Sequence, residues 1–346
     1  MDIFNPYYLQ ITMFFIINAI MGISLYITLS TGQLSLGAAG FMSVGAYVAA
    51  LLTLKLSLPI TIAVLLGGIC SALVAVIIGL PTTRLYGLYL AISTLGFGEV
   101  VRVIFLNMEV TNGALGLSGI PSIAQEFSNT LYSMDLDNIG GLDAQTLGNL
   151  LTIAILTILL AILLLFCVRI NNSRIGRAFA AIKADANAAE LMGINVVYYK
   201  MTAFIIGAFV AGVGGGLYAH ITFFISPTDF SYHKVVQILL YPVFGGSNVV
   251  WGSILGALIL TWLPEMLRFM ALYRDTIYGA LLVLLMLVRP DGILTEEIIT
   301  NISRKLGLKK PFERPKTQVL SERFEAYYEK ERIAKNSTKN SNGGDN

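Results

Sequence analysis

Long apolar runs constrain this chain more than any other feature. Leu9–Ser30, Gln33–Leu54, Pro59–Gly79, Tyr86–Leu106, Asn149–Val168, Met201–Ile221 and Val249–Leu267 each approach the length a helix needs to cross a hydrocarbon layer. A backbone in lipid must satisfy its own hydrogen bonds, so such runs become helices. Val235–Ser247 is shorter and carries Pro242, Gly245 and Gly246, which predicts a re-entrant or broken helix. Asp275–Val288 reads as a last, short span ending at Arg289. Charged residues make up only 13% of the 346, against roughly 25% in soluble domains. The expectation is an all-α polytopic membrane protein of eight to ten transmembrane or re-entrant helices, with glycine-rich packing. Cys70 and Cys167 fall in apolar runs and read as small buried side chains rather than a disulfide. The N-terminal residues show no basic leader, so no cleaved signal peptide is expected.

Charge sets the orientation. Residues 169–200 form a polar island holding Arg169, Arg174, Arg177, Lys183 and Lys200 against Asp185 and Glu190. Basic loops stay on the cytoplasmic side. Residues 107–147 carry Glu109, Glu126, Asp135, Asp137 and Asp143 with no Lys or Arg, which places that loop outside. Within the basic island, Asp185 is placed to cap a short helix through Ala186–Met192, with Gly193 at the left-handed C-terminal position. A capped helix held at the cytoplasmic face is a docking device for a soluble partner. Arg177 and Lys183 read either as contacts for acidic groups on that partner or as a solvated face.

From Arg289 to the end the chain carries 12 of its 23 basic residues and 9 of its 21 acids. The expected organisation is a membrane domain over residues 1–289 and a charged cytoplasmic tail over 290–346, in part disordered. Ile302–Phe312 reads as a basic helix on the membrane surface.

Several polar or flexible positions are candidates for a pathway or gate. Gly37, Gly40 and Gly45 either pack a helix closely or permit an unwound stretch along a cavity. Glu99 and Arg102 share a helix face three residues apart, lining a polar path or snorkelling at the outer interface. The outer loop opens with TNGALGLSGIP, a defined turn in which Thr111, Asn112 and Gly113 are candidates for an outer gate or a partner contact. Gly245 and Gly246 mark the break in the short run. His220, at the end of a span, reads as an interfacial residue rather than a ligand. Glu265 and Arg268 read as an interfacial pair.

The sequence holds no phosphate-binding G-x-x-x-x-G-K-[ST] loop, no G-x-S-x-G and no H-E-x-x-H. Its two histidines, His220 and His233, do not suggest a metal site. No stretch reads as a soluble substrate-binding domain. An ion-coupled carrier would need an ion site near the membrane midplane, for which Glu99, Gln237 and the break at Gly245 form no cluster.

At the basic island the run Asn187-Ala-Ala-Glu-Leu-Met-Gly193 resembles the E-A-A-x-x-x-G motif of ABC importer permeases, with Asn187 where the general motif has Glu. The wider run GRAFAAIKADANAAELMGINVVYYKMTAFIIGAFVAGVGGGLYA resembles the branched-chain amino acid permease family. So do TGQLSLGAAGFMSVGAYVAALL, TNGALGL, ISP and FGGSNVVWGSILGA, in that family's LivM-type branch. The resemblance covers about Leu9 to Gly292. It implies a non-enzymatic permease subunit of the bacterial inner membrane that takes up Leu, Ile or Val. Relatives for urea, short amides or other amino acids keep those substrates open. It implies partners: a second homologous permease, two cytoplasmic ATPase subunits, an external or periplasmic substrate-binding protein and membrane lipid, but no nucleic acid. No cofactor is expected on this chain; ATP and Mg belong to the ATPase subunits. The implied coupling residues are Arg177, Lys183, Asp185, Asn187, Ala188, Ala189, Glu190 and Gly193.

Overall fold

A computed structural model describes residues 5–266 apart from 84, 86, 134–137 and 140–141, together with 279, 283 and 292–294. These lie within the compact unit Met1–Leu308. The expected span Asp275–Val288, Arg268 and the tail with its helix Ile302–Phe312 lie outside the described residues.

The architecture is all-α. Among the described residues, six helices are long and apolar enough to cross a membrane: α1 (Pro6–Leu29), α2 (Ala38–Leu56), α3 (Ile60–Thr82), α4 (Leu88–Asn107), α6 (Ala144–Asn172) and α9 (Val196–Thr222). Between them lie α5 (Ile123–Ser133), α7 (Arg174–Ala184) and α8 (Ala186–Leu191), and the shorter α10 (Tyr232–Gly245) and α11 (Val250–Met266) follow. Two tiny antiparallel ladders join β1 (Leu117–Ser118) to β4 (Phe224–Ile225) and β2 (Asn138–Ile139) to β3 (Leu142–Asp143).

The core is a close crossing of α9 with α1, α2 and α3. A Cβ on Gly45 would strike the backbone of Gly212, and one on Gly67 would come within 2.7 Å of the Gly45 carbonyl. A Cβ on Gly215 would strike the Met42 carbonyl. Lipid supplies no hydrophobic drive between helices, so backbone proximity and van der Waals contact do the work. Polar bonds join the same helices: Ser71 Oγ donates to the Phe41 carbonyl at 2.9 Å, and Ser24 Oγ to that of Gly207 at 2.8 Å.

Three sequence expectations are corrected here. Gln33–Leu54 is not one helix. Residues 33–37 are non-helical, buried for the most part, and α2 starts at Ala38, with Gly37 as its cap. The Thr94 hydroxyl accepts from the Leu36 amide at 2.9 Å, so a side chain of α4 holds the unwound stretch. Second, of the two readings of Val235–Ser247 the broken helix is excluded: α10 is one unbroken helix from Tyr232 to Gly245, despite Pro242. That proline lies in the last turn, where it removes a single backbone bond. Third, His220 is fully buried rather than interfacial. Its Nδ1 donates to the Gly216 carbonyl at 2.7 Å and its Nε2 lies 3.2 Å from Thr53 Oγ1, tying α9 to α2. A small neighbour at 216 and a hydroxyl across the crossing give the ring both partners, so it needs no water. The cysteines are free, with Cys167 buried.

The helix ends sort into two sets. The starts of α1 and α6 and the ends of α2, α4, α9 and α11 gather where the acidic loop lies. The opposite ends gather at the basic island, where Asn171 Nδ2 donates to the Tyr26 hydroxyl at 2.9 Å.

Gly45→Ala and Gly96→Ala make a matched pair, since a Cβ on Gly96 meets nothing within 4 Å. Gly45→Ala is expected to cost about 1–3 kcal/mol by overpacking. Gly96→Ala should be neutral or slightly stabilising. Thermal unfolding midpoints in one detergent check both.

Candidate functional site

At the basic end, the sequence builds a compact two-helix segment. Ser173 caps α7, its Oγ accepting from the amides of Ile175 and Gly176. Phe179 and Ile182 on the inner face of α7 are buried. Asp185 then caps α8, its Oδ1 accepting from Asn187 N at 2.9 Å and Ala188 N at 3.1 Å. Gly193 follows at φ +83°, the left-handed position expected for it. The capped helix is therefore present, with the start read from the sequence and an end one residue earlier, at Leu191, where Met192 is the C-cap.

The structure divides the candidate coupling residues. Arg177, Asp185, Asn187, Ala188, Glu190 and Gly193 are exposed. Ala189 is not: it is 4% exposed and packs with Ile182 and Val196 in a small separate core. Its small side chain seats α8 on α7 and α9 rather than offering a surface to a partner. Lys183 is turned inward on the chain, its Nζ donating to Asn248 Oδ1 at 2.8 Å. That bond connects the island to the loop after α10. The exposed surface has a feature the sequence reading missed. Leu191 is 89% exposed and Met192 84%. The signal was there: two large apolar residues follow the run of small and polar residues Ala186–Glu190.

At the acidic end, TNGALGL and ISP, far apart in sequence, meet. Leu117 pairs with Ile225 and Ser118 with Phe224. Gly116, at φ +73°, lies against the Ile225 carbonyl, where any Cβ would clash. Thr111 is buried, its hydroxyl donating to the Phe105 carbonyl at 2.8 Å. Asn112 and Gly113 both adopt positive φ. The three gate candidates thus build a rigid turn over the end of α4, and its exposed tip is Leu115.

The remaining candidates are placed as follows. Gly40 faces α4, where a Cβ would lie 2.9 Å from Gly98 Cα. Glu99 and Arg102 do pair, with Nε donating to Oε2 at 2.7 Å, both partly exposed toward the acidic end of α4. Gly245 packs against the α11 backbone at Gly252, and Gly246 (φ +120°) against Leu294. Leu294 N donates to the Gly245 carbonyl at 2.9 Å, so this pair closes the basic end of the bundle. Glu265 accepts from the Tyr7 hydroxyl, while its expected partner Arg268 lies outside the described residues. Among the described residues, no three His, Cys, Asp or Glu side chains gather as metal ligands would.

A cleft of about 170 Å³ opens beside α1, α6 and the end of α9, lined by Gln10, Gln145 and Asn149 among others. It offers neutral amides and no charge. A second cluster, also missed from sequence, lies between the end of α9 and the start of α10. Phe105, Tyr47, Phe230 and Tyr218 form a continuous aromatic array, with successive ring centroids 4.2, 6.1 and 6.1 Å apart. Asp229 and Lys234 border it.

A membrane bundle with a capped helix at its basic end and a cross-linked turn at the other defines a transport permease subunit, and the comparisons with known proteins agree. The family described as branched-chain amino acid transport system, permease component, matches residues 7–288, and the chain belongs to it. The high-affinity branched-chain amino acid transport permease LivM of Escherichia coli is 36% identical over 292 residues, 82% of this chain and 68% of the relative. The corresponding LivM of Salmonella typhimurium is 36% identical over 291 residues, with the same coverage of each chain. The LivH permease of Escherichia coli is 36% identical over 128 residues, 36% of this chain and 41% of its own. No solved structure matches the chain significantly.

Asp185→Ala is expected to weaken the start of α8 by about 1 kcal/mol, the usual worth of such a cap. Hydrogen exchange should then accelerate at the Asn187 and Ala188 amides and stay unchanged in α9.

Proposed function

We propose that this chain is one of two permease subunits of an ABC importer that takes up branched-chain amino acids across a bacterial inner membrane. The observation that carries this reading is the α7–α8 segment, capped at both helices, with Leu191 and Met192 exposed next to Glu190 and with Arg177 exposed on α7. Two adjacent large apolar side chains held out at the end of a helix of small and polar residues suit a groove on a soluble partner. In this reading the basic end is cytoplasmic, and two ATPase subunits engage this face and its counterpart on a second, homologous permease. ATP and Mg are held by those subunits, and this chain binds no cofactor.

The turn tipped by Leu115 faces outward, toward an external binding protein that delivers the amino acid. Movement of α8 passes to the membrane domain by two routes: the Ile182–Ala189–Val196 core and the Lys183–Asn248 bond. Packed glycine crossings have discrete arrangements, so a rigid shift at the cytoplasmic face is transmitted rather than absorbed. The membrane domain spans residues 1–289 with eight to ten membrane segments, and residues 290–346 form a cytoplasmic tail.

The test is purification of the tagged chain from its native membrane in mild detergent. A second permease and P-loop ATPases should copurify. Leu191→Asp with Met192→Asp should lose the ATPases and keep the second permease, because both side chains are on the surface and support no core. Recovery of the chain alone, active in liposomes under an ion gradient, overturns the assignment. Retention of the ATPases by the double variant overturns the role given to α8.

A further inference from the structure

Two opposite charges stand at the rim of the aromatic array and do not pair with each other. Asp229 lies in the 3-10 turn Pro227–Phe230, and Lys234 in the first turn of α10. Asp229 Oδ2 accepts from the Ser226 amide at 2.7 Å, which fixes the carboxylate, while Oδ1 has no hydrogen bond among the described residues. Lys234 Nζ lies 5.3 Å from the centre of the Tyr218 ring and makes only a long 3.4 Å contact with Gln237 Oε1. Both side chains are partly exposed. The charge of Asp229 reaches Tyr47, Tyr218 and Lys234. The Tyr47 hydroxyl is buried and has no hydrogen-bond partner among the described residues. A chain optimised only for stability would close the Asp–Lys pair or remove it, because half-buried charges are costly when unpaired.

We propose that this cluster is a recognition site for a zwitterionic amino acid with an aliphatic side chain: Asp229 receives the α-ammonium, Lys234 the α-carboxylate, and the partly exposed ring of Tyr218 the side chain, with the buried rings of Tyr47 and Phe230 backing it. The proposal rests on the importer reading above and names a substrate contact within this chain. Two fixed charges of opposite sign match a dipolar ligand and reject a neutral one. The site therefore favours amino acids over urea or short amides, which carry no charges to match. Its place beside the β1–β4 ladder puts it under the outward turn, where a delivered amino acid would first meet the permease. The Glu99–Arg102 pair is already closed on itself and offers less to a zwitterion.

The experiment uses the purified permease–ATPase complex without its binding protein, and follows amine-reactive labelling of Lys234 by mass spectrometry. Leucine at about ten times its Kd should slow that labelling about tenfold by mass action. Leucinamide, which lacks the carboxylate, and urea should not slow it. In Asp229→Asn complex that still copurifies, about tenfold more leucine should be needed for the same protection, the worth of one charge-assisted contact. Equal labelling with and without leucine, or equal protection by leucinamide, overturns the proposal. So does unchanged protection in the Asp229→Asn complex. Should that variant not assemble, the ligand series on the wild-type complex decides. Failure of the wild-type chain to bring down ATPases would instead overturn the importer reading, so the two failures are distinguishable.

Discussion

The backbone contact among Gly45, Gly67 and Gly212 is the constraint on which the rest of this protein depends. Three helices meet there at distances that leave no room for a Cβ. In lipid, separation of these helices would lose dispersion contacts and gain nothing from hydrophobic burial. The crossing therefore holds α9 as a central post, with α1, α2 and α3 around it. Because the post ends in the capped segment at one side and the β4 strand at the other, both functional faces are referred to the same rigid element.

The two faces solve different problems. The basic face presents a helix too short to be stable alone, so it is capped by Asp185 and seated through Ala189 on a small core of its own. That small core adjoins the main one, in which Phe179 of α7 is buried, so the segment is anchored to the membrane bundle. The acidic face is cross-linked instead. The β1–β4 ladder, the positive-φ residues Asn112, Gly113 and Gly116, and the buried Thr111 hydroxyl lock the turn onto the ends of α4 and α9. Beneath that lock lie the aromatic array and the two separated charges. A short capped helix at one end and a cross-linked turn over a polar rim at the other is the arrangement on which the proposed coupling to a soluble partner rests.

Much of this was legible in the residues. Apolar run length located the six long helices among the described residues, because hydrogen-bond satisfaction in lipid leaves the backbone little choice. The Asp185 cap and Gly193 were readable because capping is local chemistry, complete within a few residues. What misled was environment. His220 sits at the end of an apolar run, and only the approach of Thr53 from α2 makes it a fully buried, bonded ring. Ala188 and Ala189 are chemically identical, yet one is exposed and the other buried, since helix phase relative to Ile182 and Val196 decides which faces inward. The Gln33–Gly37 stretch reads as helix by hydropathy but is unwound, held by Thr94 from a helix more than fifty residues away.

The sequence by itself determined the class of the protein: a helical membrane permease, its basic and acidic ends, the capped helix between two spans and the family to which it belongs. These follow from hydropathy, charge count and short-range hydrogen bonding, which are properties of contiguous residues. Only the tertiary structure decided which glycines touch, that TNGALGL and ISP share one ladder, that Lys183 reaches Asn248, and that Asp229 and Lys234 stand beside four aromatic rings without pairing with each other. Those facts depend on helices distant in sequence crossing at a specific angle and depth, and that geometry is set by mutual packing rather than by any one segment's own preference.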